Sequence, residues 1–279
     1  MAARLKAGLA LLVLGLGASG CWESHVLDVD ADLDAFRAAV DAPQPVRRLV
    51  WALVHPSDAP PSGPGIVLYD EATHTVVRRL PLPIASDVSA HGLAIDGETL
   101  WVSTMGRGSG STLEDGAGIF QIDQGDGHVI RRFDRIRAEG VAIEGDDLWY
   151  AGARPDEAGP TLVRLSTRDG AQRSFVPIPE SFLIQDLTIA NGALFYLAND
   201  DLDRVMRLDP ATGVATELVR GVYEAPYALG FDGQYLAVPM ADRFTSSPSI
   251  RRFDPSTGAL VSETPFLVSG WVTAIAFVR

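Results

Sequence analysis

An internal repeat constrains this chain more than any other feature. His91-Gly-Leu-Ala-Ile-Asp-Gly-Glu-Thr-Leu-Trp-Val-Ser103 and Glu139-Gly-Val-Ala-Ile-Glu-Gly-Asp-Asp-Leu-Trp-Tyr-Ala151 begin 48 residues apart and match at nearly every apolar position. Two further copies, Gln185–Ala198 and Tyr227–Val238, continue the series with one-residue slips in the turn. Each copy reads as two short strands joined by a glycine-containing turn. A second hairpin follows each first one, over Gly118–Phe133, Thr161–Val176, Arg204–Leu218 and Ser249–Val261. Two of these carry the turns Asp209-Pro-Ala-Thr-Gly213 and Asp254-Pro-Ser-Thr-Gly258. Aspartate opens such a turn, proline fixes φ at the next position, and glycine supplies the positive φ that closes it.

Two hairpins per period of roughly 45 residues make a four-stranded antiparallel sheet, the blade of a β-propeller. The ends of the repeat explain each other. Trp271–Val278 aligns with the first strand of the repeat but has no blade after it. Arg48–Val54, Gly65–Tyr69 and Thr75–Leu80 supply second, third and fourth strands with no first. The expectation is an all-β fold of five four-stranded antiparallel blades over residues 46–279, closed by the C-terminal strand pairing into the N-terminal blade. Closure removes the open sheet edges on which other chains could pair. A sixth blade is the alternative, if Trp22–Pro45 hides strands. Trp51, Trp101 and Trp149 recur on second strands, where packing between blades is their expected role.

The N-terminus carries an address. Arg4 and Lys6 precede an apolar run, Ala7–Gly17, which is too short to span a bilayer as a mature helix. Ala18-Ser19-Gly20-Cys21 follows, and Cys21 is the only cysteine. This stretch resembles the lipobox of bacterial lipoproteins, with Ala18 where leucine is more usual. The resemblance implies residues 1–20 as a signal peptide, lipid on the Cys21 sulfur, and cleavage before it. It places the mature chain outside the cytoplasm as a membrane-anchored protein on the periplasmic or outer-membrane side. The other reading is an ordinary cleavage site followed by a free thiol, a liability in an oxidising compartment. Residues 21–45 read as the lipidated cysteine and an acidic tether, with Asp28, Asp30, Asp32 and Asp34 alternating with apolar residues and a short helix over Ala35–Val40. These aspartates lack the glycine turn and distal glutamate of a calcium-binding EF-hand loop.

The formal charge is −13, and removal of Arg4 and Lys6 with the signal peptide makes the mature chain more negative still. A nucleic-acid partner is excluded on that ground, because affinity for nucleic acid comes largely from neutralising phosphates. An acidic surface favours cationic or metal-bound ligands.

In a propeller the innermost strand of each blade lines the central channel. Alignment of those strands puts His91, Glu139, Gln185, Tyr227 and Thr273 at one level near the channel mouth. The long loops, His55–Pro64, Thr104–Ala117, Gly152–Pro160, Asn199–Asp203 and Pro239–Pro248, fall on that same face. Such a ring can converge on a ligand, and His91 with Glu139 can form an acid/base pair or two metal ligands. It can equally be a water-bridged polar lining. The clustered oxygens of Asn199–Asp203 could hold calcium or a similar divalent cation, or simply cap a loop. The glycines of Thr104–Thr112 lack the Gly-Lys-Ser/Thr and the helix of a phosphate loop. No Ser/His/Asp order and no Gly-x-Ser-x-Gly appears, and His25, His55, His74 and His128 fall in tether, loop or turn positions.

Phe195–Asp209 and the Asp-Pro-x-Thr-Gly turns resemble the broad group of NHL, YVTN, gluconolactonase-like and quinoprotein-like propellers, over residues 46–279. These motifs build blades and say little about activity. Gluconolactonase-like members would imply a divalent metal held by a glutamate, an asparagine and an aspartate, which here points to Glu139, Asn199 and Asp200. His91, Tyr227 and Thr273 depart from that set. Quinoprotein dehydrogenases would imply a larger ring and tryptophan docking motifs that the sequence lacks. The leading expectation is a cell-envelope lipoprotein that binds an envelope protein, a glycan or a small molecule as a non-enzymatic scaffold. The alternative is a metal-dependent, lactonase-like hydrolase at the channel mouth.

Overall fold

The computed structural model describes residues 48–55, 64–82, 84, 88–106, 116–153, 160–178, 183–199, 203–222, 227–240, 248–268 and 270–278. The expected signal segment, Cys21, the expected tether and short helix, and any sixth-blade strand fall outside these residues, as do most of the loops expected on the long-loop face.

The described chain is all strand and turn. Blade one takes β1 (Leu49–His55), β2 (Gly65–Asp70) and β3 (Thr75–Pro81). Blade two is β4 (Ser89–Asp96), β5 (Thr99–Gly106), β6 (Gly118–Asp123) and β7 (Val129–Asp134). Blade three is β8 (Val141–Glu144), β9 (Asp147–Ala153), β10 (Pro160–Ser166) and β11 (Gln172–Pro177). Blade four is β12 (Leu183–Ala190), β13 (Ala193–Asn199), β14 (Arg204–Asp209) and β15 (Val214–Arg220). Blade five is β16 (Gly230–Phe231), β17 (Leu236–Met240), β18 (Ser249–Phe253) and β19 (Leu260–Pro265). The last strand, β20 (Trp271–Phe277), joins blade one on the inner side of β1, giving the order β20-β1-β2-β3. Five four-stranded antiparallel sheets result, as the repeat predicts.

Burial follows radial position. Second strands such as Leu49–His55 and Ala193–Asn199 are buried along nearly their whole length, because neighbouring blades cover both faces, so they read as apolar runs. Outermost strands such as Val129–Asp134 and Leu260–Pro265 are mostly exposed. Their charged residues, Arg131 and Arg132 among them, oppose edge-to-edge pairing. The repeated tryptophans fill the seams between blades: Trp51 packs with Leu93 and Phe120 of blade two. Trp101 lies with Val141 and Leu148 of blade three, and Trp149 with Leu187 and Leu194 of blade four.

The Asp-Pro-x-Thr-Gly turns form as their composition dictates. Asp254 Oδ1 accepts the amide hydrogens of Ser256 at 2.8 Å and Thr257 at 2.9 Å, together with the Ser256 hydroxyl at 2.5 Å. Those bonds, led by the Ser256 hydroxyl, hold the Asp254 carboxyl down to about 2. Gly258 closes the turn at φ 72°, where a Cβ would also lie 2.1 Å from the Leu218 carbonyl oxygen.

The seam between blades five and one has a polar latch. Arg252, 1% exposed, donates from Nη2 to both oxygens of Glu71 at 2.6 Å. It also donates from Nε to Asp232 Oδ2 at 2.8 Å and from Nη1 to Thr264 Oγ1 at 3.0 Å. Its guanidinium lies 5.8 Å from the ring centroid of Phe277 in β20. Beside it, Tyr69 and Phe266 meet edge to face with centroids 4.9 Å apart.

Candidate functional site

The inner strands share a local irregularity that sets up the channel mouth. The pairing of β4 with β5 runs from Ala90 directly to Gly92, leaving His91 without a partner. In blade four the register passes from Ile184 to Asp186 and omits Gln185. In blade one it passes from Ala274 to Val272 and omits Thr273. In blade three Glu139 donates its amide to the Ala151 carbonyl at 2.8 Å while the Gly140 carbonyl accepts the Ala151 amide at 3.2 Å, so two residues again face one. These are β-bulges, which unpair one residue and re-aim its side chain. Four of the five ring positions read from the sequence are therefore equivalent in the backbone as well. Tyr227 differs, preceding the short β16 rather than lying in a ladder.

Glycine permits the inner strands to crowd at this level. A Cβ on Gly92 would stand 2.5 Å from Ser103 Oγ and 2.6 Å from the Val141 nitrogen, and one on Gly140 would stand 2.7 Å from Asp186 Cα. Side-chain oxygens stitch the strands across the seams. Ser103 Oγ accepts from the Gly92 amide at 2.9 Å and donates to the Glu139 carbonyl at 3.2 Å.

The structure brings His91 and Glu139 together. His91 Nδ1 lies 2.8 Å from Glu139 Oε2, and on the other side of the ring Nε2 lies 2.6 Å from Ser89 Oγ. The Glu139 side chain is 10% exposed and that of His91 25%. Oε2 is shielded from water and receives no aligned hydrogen bond, so its contact with the imidazole is electrostatic rather than a directed N–H bond. Gln185 is buried. Thr273 commits its hydroxyl proton to the Ala90 carbonyl at 3.2 Å, which makes it a seam residue between blades one and two. Tyr227 faces Trp271, with ring centroids 6.1 Å apart and planes at 34°, and Trp271 is 51% exposed.

Three participants were missed in the sequence. His55, at the end of β1, contacts the Ala90 carbonyl through Nε2 at 2.8 Å, so that nitrogen carries the proton. Burial lowers its pKa, the carbonyl opposes this, and the nearby His91 lowers it further. Ser89 lies two residues before His91 and resembles any strand-end serine. Asp186 is fully buried and accepts the amide hydrogens of Leu187 and Leu229, each at 2.9 Å. Only its place one residue after Gln185 in the repeat hinted at it.

The proposed metal set is only partly described. Asn199 ends β13 and is half-buried, whereas Asp200 lies outside the described residues. Among the described residues Glu139 belongs to no group of three His, Cys, Asp or Glu side chains close enough to share an ion. One such group exists on the surface, Asp123, Asp126 and His128 in the β6–β7 turn. There the Asp126 carboxylate raises the His128 pKa through a side-chain hydrogen bond.

A cavity of about 710 Å³, lined from all five blades by residues such as Leu93, Ile143, Ile189, Phe231 and Phe277, opens among the tight turns of the opposite face. Among the described residues its charged lining is Asp96 and Glu144, both exposed at the rim. This cavity is thus not at the end that carries His91 and Glu139.

No known family's sequence profile matches the chain, and no curated protein matches it in sequence. Solved structures do match in shape. A chain of the nidogen/laminin complex superposes with a TM-score of 0.51 at 13% identity, covering 83% of this chain and 98% of that one. TolB from Acinetobacter baumannii superposes with a TM-score of 0.50 at 11% identity, covering 92% of this chain and 74% of that one. The likeness is of fold alone. It agrees with a β-propeller and carries no residue of the site across.

Proposed function

We propose that this chain is an extracytoplasmic lipoprotein, held to the membrane through Cys21, whose propeller binds a partner protein at the face bearing His91, Glu139 and Trp271. The observation that carries the reading is the mouth itself. Bulges in four blades aim polar side chains to one level, and the exposed Trp271 with Tyr227 stands beside them. Exposed tryptophan and tyrosine beside buried polar groups are the usual anchors of a recognition surface. The fold's occurrence in the nidogen/laminin complex supports a propeller used in protein assembly.

A photo-crosslinking residue at position 271, in intact envelopes, tests the reading together with lipid mass on Cys21. The expected result is one discrete cross-linked protein at position 271, none at the exposed, outer Val214, and acyl chains on Cys21. An unmodified Cys21 thiol refutes the anchor. Equal or absent cross-linking at the two positions refutes the binding face.

A further inference from the structure

We propose that Ser89, His91 and Glu139 form an acyl-transfer relay at the channel mouth, with Ser89 as nucleophile toward carboxylic esters. The sequence shows no such order because the three residues come from two blades, and only the seam between β4 and β8 unites them. Ser89 Oγ lies 2.6 Å from His91 Nε2, within reach for proton transfer. His91 Nδ1 lies 2.8 Å from Glu139 Oε2 on the ring's far side. A nucleophile, a base within hydrogen-bond reach, and a third group behind the base are the parts of a Ser–His–acid arrangement.

The buried carboxylate gives the arrangement its direction. Glu139 Oε2 is shielded from water and lacks an aligned donor. An ionised carboxylate in that state is unfavourable until a positive charge stands beside it. The imidazolium formed as His91 takes the Ser89 proton would stand directly beside this carboxylate. The oblique approach of the imidazole to Oε2 suits a resting enzyme, in which such bonds tighten only with substrate bound.

In the reaction the Ser89 oxygen bonds to the ester carbonyl carbon while its proton moves to His91 Nε2. The carbon–oxygen bond to the alcohol then breaks, and the leaving alcohol takes that proton. Water, deprotonated by His91, then attacks the acyl carbon; the bond from that carbon to the Ser89 oxygen breaks, the Ser89 oxygen takes the proton back from His91, and the carboxylic acid leaves. Glu139 is a positioning residue, acting only through His91. This goes beyond the binding reading, since a mouth that only binds leaves Ser89 unmodified.

The test exposes the folded full chain, in detergent, to an alkyl fluorophosphonate. Ser89 would displace fluoride from phosphorus, and peptide mass spectrometry locates the adduct. The expected result is a single adduct on Ser89, slowed about 100-fold or more by His91→Ala, the scale of general-base assistance. Glu139→Gln slows it as well, and Glu139→Asp restores part of that loss, which a merely structural role would not do. Circular dichroism checks that each variant is folded, and should His91→Ala not fold, the Glu139 pair decides. No adduct on Ser89 in the folded protein, or labelling indifferent to these substitutions, overturns the proposal. Persistent cross-linking at position 271 in that case leaves the binding face standing.

Discussion

Asp186, on the inner strand β12, has no solvent exposure. Burial raises its pKa well above 3.8, the amides of Leu229 and Leu187 pull it back, and the Glu139 charge raises it again. A carboxyl raised in this way keeps a proton that the unfolded chain has released. Folded stability therefore declines as pH rises from 3.8 through the shifted value. Asp186→Asn cannot ionise, but its amide nitrogen leaves one of the two backbone donors without an acceptor, at a cost of about 1–3 kcal/mol. Urea titrations should find the variant clearly less stable near pH ~4, with the gap to wild type closing as pH rises. A gap independent of pH would mean that Asp186 does not titrate in the folded protein.

Among the elements, the inner strands carry the burden of precision. Gly92 must be glycine because a methyl group would strike both Ser103 and the backbone of blade three. Gly92→Ala should cost about 1–3 kcal/mol, the usual penalty of overpacking, read from the denaturant midpoint. An unchanged midpoint would show that the seam is looser than described. The same strands show where sequence reading succeeds and stops. Apolar alternation and the Asp-Pro-x-Thr-Gly turns are local, so β1, β2, β3 and both hairpins of blades two to four were legible, as was the ring level of His91, Glu139, Gln185 and Thr273. The bulges were legible only as a consistent alignment, because a bulge is a property of two strands. Ser89 and His55 carry no local signature, and their approach to His91 depends on seam geometry that one strand cannot encode. Thr273 illustrates the converse: its place was read correctly, but its hydroxyl serves the Ala90 carbonyl.

For the whole molecule, closing the ring is the decisive event, and the Arg252 latch stands at the joint. Burial pushes Asp232 upward, but hydrogen bonds from Tyr235, Arg252 and Gln234 outweigh it and hold the carboxyl below 3.8. A depressed carboxyl contributes stability that is present above its unfolded value and lost as pH falls through the folded one. Arg252→Met leaves Asp232 and Glu71 without their shared cation and should cost about 3–5 kcal/mol at neutral pH, with the loss shrinking in acid as the Asp232 carboxyl protonates. A cost below about 1 kcal/mol at neutral pH would assign ring closure to the β1–β20 ladder alone.

That ladder is where the architecture is most exposed to refutation. Solution NMR on isotope-labelled protein can look for cross-strand nuclear Overhauser contacts between the backbones of Val50 and Phe277, and of Ala52 and Ile275, which the closed ring places opposite each other. Contacts at both pairs are the predicted result. Their absence, or contacts from β20 to any strand other than β1, would contradict both the five-bladed ring and the channel mouth assembled at its inner strands.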